Sequence, residues 1–226
     1  MSEFKKSLFR IIFLSKIGRV LLNRRFNKNF SSAADYWEKR YSENGYSGEG
    51  SYGKLALYKS SVINEFVREN QIAKIVDFGC GDGNQLKMLC LPDYIGLDVS
   101  NSAVERCRQL FANDRNKKFF VYYPTSFTDD RTVIRGDLGL SLDVIYHLLE
   151  DEIFEGYMHR LFSSSTRFII IYAWDVDGPR NGHVMHRKFT KWIDDNYREW
   201  ELREHKKSQL SEAADFFIYE KCPGRI

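Results

Sequence analysis

At 226 residues the chain is long enough for one well-filled α/β core and short for two full domains. Its composition, 43% hydrophobic, 29% charged and 15% aromatic, is ordinary for a globular protein, and no apolar run approaches the roughly 18 residues of a membrane span. A net charge of +3 demands no nucleic-acid partner, and none is expected.

The charge is unevenly placed. Residues 1–30 carry eight Lys or Arg against the single acid Glu3, a local charge of +7 that leaves −4 for the rest. Within this basic, hydrophobic N-terminal extension, residues 4–26 read as a helix, although apolar and basic positions both spread round the wheel. The segment is expected to dock on its own domain or on a second subunit of a homo-oligomer. Peripheral contact with an anionic inner-membrane surface is the alternative. It does not read as a signal peptide, because Arg10 and Lys16 interrupt its apolar stretch and no small-residue cleavage site follows. Cys80, Cys90, Cys107 and Cys222 form neither a CxxC pair nor a zinc-ligand spacing, which suits a reducing, cytoplasmic setting.

Residues 32–44 predict a short helix, and 45–53 a loop rich in Gly and Ser. Residues 55–70 are amphipathic, with Leu55, Tyr58, Val62, Ile63, Phe66 and Val67 on one side. From Lys74 onward strand and helix alternate. Strands are expected at 74–77, 94–98, 119–123, 137–142 and 167–172, and helices at 84–90, from Ser102, at 151–162 and at 189–197. Ser102-x-x-Glu105 reads as a capping box. The β-branched run 167–172 predicts a central strand buried on both faces. Two late strands, 200–205 and 215–220, are joined by a loop alone and predict an antiparallel hairpin at one sheet edge. The fold class is therefore α/β: a Rossmann-like, doubly wound, seven-stranded, mostly parallel sheet with a C-terminal antiparallel hairpin. A ligand then belongs beyond the carboxyl ends of the strands, near the switch in strand order.

The strongest local signal is Ile75-Val-Asp77-Phe-Gly79-Cys80-Gly81-Asp82-Gly83-Asn84. Glycines allow a tight strand-to-helix turn and let a ligand touch backbone. Two details separate it from a dinucleotide fingerprint. GxGxxG would put its third glycine where Asn84 stands, and Asp77 and Asp82 make the turn acidic. A pyrophosphate would meet those carboxylates unfavourably, whereas a cationic sulfonium and ammonium suit them. Asp98 closes the second strand nineteen residues after Gly79, where a carboxylate can accept both ribose hydroxyls.

The runs IVDFGCGDGNQL, YIGLDVS and LSLDVIYHLLED resemble the signature series of class I S-adenosylmethionine-dependent methyltransferases. Upstream, YWEKRYSENGYSGEGSYGKLALYKS resembles the N-terminal segment of a small bacterial subgroup. The resemblance implies one methyltransferase domain over residues 31–226, with a helical lid at 31–70 and S-adenosylmethionine as cofactor. It implies that Asp77, Gly79 and Gly81 hold the methionine end, that Asp98 holds the ribose, and that Cys80, Val99 and Leu142 also belong to the donor site. The resemblance further implies that Ser126 and Phe127 flank the adenine. The family places an acid or amide near the adenine; here the nearest acids are Asp129 and Asp130. Tyr36, Trp37 and Arg40 would lie over the donor, with Arg40 a candidate for its carboxylate.

The fourth strand ends in Asp143-Val-Ile-Tyr-His147. Methyl transfer is an in-line displacement, so the site must align a nucleophile and exclude water. A hydroxyl acceptor also needs a base, and His147 is the expected one, with Asp143 contacting the donor or orienting the acceptor. After the fifth strand, Trp174-Asp175-Val-Asp177 and His183-Val-Met-His186-Arg187 lie in a loop over the strand tips. His183 and His186 are expected to assist catalysis, and Arg187 to bind an acidic acceptor group. A metal site is not expected, since His-x-x-His in a loop fixes no third ligand.

The sequence therefore points to methyl transfer to an oxygen or nitrogen of a small-molecule or saccharide acceptor. A non-catalytic donor-binding module is the first alternative. A nucleotide-dependent oxidoreductase is opposed by the displaced glycine, the acidic turn and the lack of any Tyr-x-x-x-Lys. RNA methylation is opposed by the acidic body and by Leu-Asp-Val-Ile standing where many base-nitrogen enzymes carry an NPPY-like tetrapeptide.

Overall fold

The computed structural model describes residues 32–123 and 134–222; the basic extension and the stretch holding Ser126, Phe127, Asp129 and Asp130 lie outside them. Among the described residues the elements in chain order are α1 (Ala33–Ser42), α2 (Gly53–Glu69), β1 (Lys74–Phe78), β2 (Asp93–Asp98), α3 (Asn101–Leu110), β3 (Lys117–Val121), β4 (Gly136–Leu142), α4 (Asp151–Ser164), β5 (Ser165–Ala173), α5 (Phe189–Asn196), β6 (Trp200–Lys206) and β7 (Asp215–Lys221). No described helix is long and apolar enough to cross a membrane.

The seven strands form one sheet in the order β3-β2-β1-β4-β5-β7-β6. All neighbours are parallel except β7, which runs antiparallel to both β5 and β6. The chain walks outward from β1 to β3 and then returns to place β4 on the other side of β1. The order reverses there, so the carboxyl ends of β1 and β4 open a crevice. The register sets Asp77 opposite Gly96 on one side and Leu140 on the other.

Both faces of the sheet are covered, which explains the near-continuous apolar strands. On one face Ile75, Leu138, Leu140 and Ile170 pack with Val62, Ile63 and Phe66 of α2 and Val104 of α3. On the other, Val76, Phe78, Ile169 and Ile171 pack with Met158 and Leu161 of α4 and Ile193 of α5. The run 167–172 lies within β5, an interior strand between β4 and β7.

Two sequence expectations fail locally. No helix forms over 84–90, which holds only a 3-10 turn at Leu86–Met88. Asn64 of α2 accounts for this: its amide donates to Met88 O (3.0 Å) and accepts from Cys90 N (2.8 Å). These tertiary bonds take the place of helical ones, and Pro92 follows. The capping box is also misplaced. Ser100 caps α3, its Oγ accepting from Ala103 N at 3.1 Å. The acid at this cap is Glu38 of α1, which accepts from Ser100 Oγ (2.7 Å), Ser102 Oγ (2.6 Å) and Ser102 N (3.1 Å). Those hydrogen bonds, Ser102 first, hold the Glu38 carboxyl below the usual range, and the contact fastens α1 to the domain.

Candidate functional site

Beyond the ends of β1, β2 and β4 lies a cavity of about 260 Å³, roofed by α1. Asp77 lines it from the end of β1 and is 6% exposed. Tyr94 OH donates to Asp77 Oδ2 at 2.7 Å, while Oδ1 is buried without a partner. Asp98 lines it from the end of β2 and braces the glycine turn, its Oδ2 accepting from Gly81 N and its Oδ1 from Ser100 N, each at 2.9 Å. Both carboxyls are pushed up to about 6, chiefly by burial; Tyr94 opposes the shift at Asp77, and the Ser100 and Gly81 amides oppose it at Asp98. Gly79 and Gly81 have φ of +96° and +57°, and a Cβ on Gly79 would come within 2.4 Å of Val144.

These shifts give a signed expectation. A cationic ligand favours ionised carboxylates, so its binding should release protons near pH 6 and tighten as pH rises from about 5 to 7. In the empty fold the stability contributed by the two groups is present below their ordinary value of 3.8 and lost as pH rises through about 6. Calorimetry with S-adenosylmethionine in buffers of different ionisation enthalpy reads both the affinity and the protons. Affinity that is flat or falls with rising pH would contradict this assignment.

The glycine turn is tied to the covering segments. Asp82 accepts from Ser47 N (3.0 Å), Tyr52 OH (2.8 Å) and Asn84 N (3.1 Å). Arg106 of α3 donates to Tyr41 O and to Gly45 O, the latter at 2.8 Å. Trp37 and Tyr41 of α1 face the cavity.

The tip of β4 forms the opposite wall. Asp143 has φ +60° and pairs with Lys59 Nζ of α2 at 2.6 Å, while Tyr146 OH donates to its other oxygen at 3.1 Å. Lys59 is completely buried. His147 lines the cavity with Nδ1 3.0 Å from the His183 carbonyl. A carbonyl only accepts, so Nδ1 carries the proton and Nε2 keeps its lone pair. Burial pushes His147 down to about 4, so its ring is neutral at physiological pH. The His147 and His183 rings stack at 5.2 Å, and His183 stacks on Tyr36 of α1 at 4.7 Å.

No family model matches the chain. Over 117 residues, 46% of this chain, it is 32% identical to the small RNA 2'-O-methyltransferase of Arabidopsis thaliana, and the match covers 12% of that relative's length. The N-methyltransferase NodS of Bradyrhizobium japonicum, solved with S-adenosyl-L-homocysteine, superposes with a TM-score of 0.67 at 13% identity, over 84% of this chain and 99% of that one. The methyltransferase domain of bacterial CtHen1-C superposes with a TM-score of 0.57 at 17% identity, over 75% of this chain and all of that one. The fold is that of the class I S-adenosylmethionine-dependent methyltransferases.

Against this methyltransferase fold the expected donor residues are placed as follows. Asp77, Gly79, Cys80 and Gly81 line the cavity from the β1 turn, Asp98 and Val99 from β2, Leu142 from β4 and Trp37 from α1. Arg40 does not line it. Its guanidinium donates to Tyr46 O (2.7 Å) and Tyr36 OH (3.2 Å), so it braces the lid. Asp143 and His147 line the cavity, with Asp143 paired to Lys59 and accepting from Tyr146 OH. His183 and His186 stand behind this wall: His183 is stacked on His147, and His186 packs edge-on against Trp174. Arg187 is held by Asp151 (2.8 Å) and by Leu148 O and Leu149 O, which leaves it unsuited to an acceptor group. Asp82 faces the covering loop and Asp143 is paired with Lys59, so among the described residues the lining carboxylates without a cation are Asp77 and Asp98.

Lys59 and Gln85 are not among the site residues expected from the sequence. Lys59 lies one turn before Val62 and Ile63 on the apolar stripe of α2, and a lysine on that stripe signals a buried partner. Gln85 gives no such signal, because the helix expected around it does not form.

Proposed function

We propose that this chain is an S-adenosylmethionine-dependent methyltransferase acting on an oxygen or nitrogen of a small-molecule or saccharide acceptor. The carrying observation is the pair of buried carboxylates, Asp77 and Asp98, in one cavity at the strand switch, with Asp77 Oδ1 unpartnered. This set suits a ligand bearing cationic groups and a ribose. It does not suit a diphosphate, and the short turn after the glycines offers no helix N-terminus to receive one.

When bound, the donor supplies an electrophilic methyl group on a sulfonium. Asp98 would hold the ribose and Asp77 the methionine ammonium. Trp37 and Tyr41 close the cavity over them and exclude water. His147 is neutral and its Nε2 lone pair is placed to take the proton from an acceptor hydroxyl, although burial makes it a weaker base than free imidazole. His183 sets the tautomer and plane of that ring and is a positioning residue.

A second reading, methylation of an RNA ribose hydroxyl, draws support from the Arabidopsis relative; the mildly acidic body weighs against it. Transfer of a labelled methyl group to a panel of monosaccharides, nucleosides and short RNAs separates the two. Label on small sugars supports the first reading, and label on RNA alone supports the second. With the acceptor so found, His147→Ala should lower turnover by ~10²-fold or more while donor affinity is kept. Full turnover in that variant would make His147 structural.

A further inference from the structure

Two side chains lining the cavity end in buried oxygen atoms that have no hydrogen-bond partner: Asp77 Oδ1 and Gln85 Oε1. Gln85 lies just past the glycine turn and is 8% exposed. Its amide has one allowed orientation. Nε2 donates to Ala56 O (3.0 Å) and Ser60 Oγ (2.6 Å), both on α2. Ala56 O can only accept, so the nitrogen must face α2 and the oxygen must point away. Asp77 is oriented in the same manner, with Tyr94 OH on Oδ2 and Oδ1 left over.

A buried acceptor without a donor costs free energy, and a fold that keeps two in one cavity is matched to a ligand that brings donors. A hydroxyl brings a single donor and a carboxylate none. An ammonium brings three and accepts nothing, and its charge meets the Asp77 carboxylate. We propose that Asp77 and Gln85 form a two-acceptor seat for the α-ammonium of the donor's methionine tail. Gln85 is then a binding residue that selects ligands carrying the amine. This rests on the donor reading above and deepens it.

Calorimetry on the full chain tests the seat with two probes: S-adenosylhomocysteine, and 5'-methylthioadenosine, which has the same nucleoside and a thioether but no amino-acid tail. In Gln85→Met the first should weaken by about tenfold while the second stays within about twofold. Retained binding of 5'-methylthioadenosine shows at the same time that Gln85→Met keeps its fold. Equal weakening of both probes in Gln85→Met, or no weakening of either, overturns the seat, because a merely structural role does not read the tail. If the wild type binds neither probe, the donor reading itself fails, and the seat fails with it.

Discussion

Lys59→Met is expected to destabilise the fold by about 3–5 kcal/mol, the range for breaking a buried ion pair from one side. Lys59 is fully buried, its ammonium lies 2.6 Å from Asp143 and it sits over the Tyr172 ring at 5.2 Å. Removing it leaves the Asp143 carboxylate beside an apolar wall with only the Tyr146 hydroxyl. Asp143 keeps 18% of its side-chain exposure, so water relieves part of the cost and the lower end of the range is expected. Adding Asp143→Asn should recover more than half of the loss, since asparagine needs no cation and tolerates the left-handed backbone at φ +60°. Urea unfolding of the two single variants and the double variant measures this. A single-variant loss below about 1 kcal/mol, or a double variant no better than Lys59→Met, would show that the pair does not hold the β4 tip.

Asp98→Ala carries the second large effect, on two quantities at once. The fold should lose about 2–4 kcal/mol, because the Gly81 and Ser100 amides become buried donors without acceptors. Donor affinity should fall by about 2 kcal/mol, roughly thirtyfold, as the ribose loses its carboxylate. Asp98→Asn separates the two, since its one carbonyl oxygen can keep one of the amides. Denaturation reads the first quantity and calorimetry the second. A folded Asp98→Ala protein with wild-type donor affinity would remove Asp98 from the ribose role and leave it as a brace for the turn.

The parts legible in the sequence were those dictated by local pattern. The run at 167–172 and the spacing of Gly79, Gly81 and Asp98 carry strand, turn and acid in order, and the fold places them as expected. Except at Arg40, whose partners Tyr36 and Tyr46 are near in sequence, the failures arise where a partner distant in sequence intervenes. Glu38 brings an acid to the Ser100 cap from sixty-two residues away, so the local Ser102-x-x-Glu105 pattern misleads. Asn64 takes over the backbone groups that a helix at 84–90 would have used, twenty-four and twenty-six residues away. Arg40 and Arg187 look like anion ligands as letters, but backbone carbonyls engage both. Gln85 owes its role to an amide turned by Ala56 and Ser60, and no spacing rule records that orientation.

The most direct test is a calorimetric comparison of S-adenosylhomocysteine and NAD on the wild-type chain. A micromolar dissociation constant is expected for the first, about −8 kcal/mol, and no measurable heat for the second. Binding of NAD in the cavity lined by Asp77 and Asp98, with none of S-adenosylhomocysteine, would contradict it.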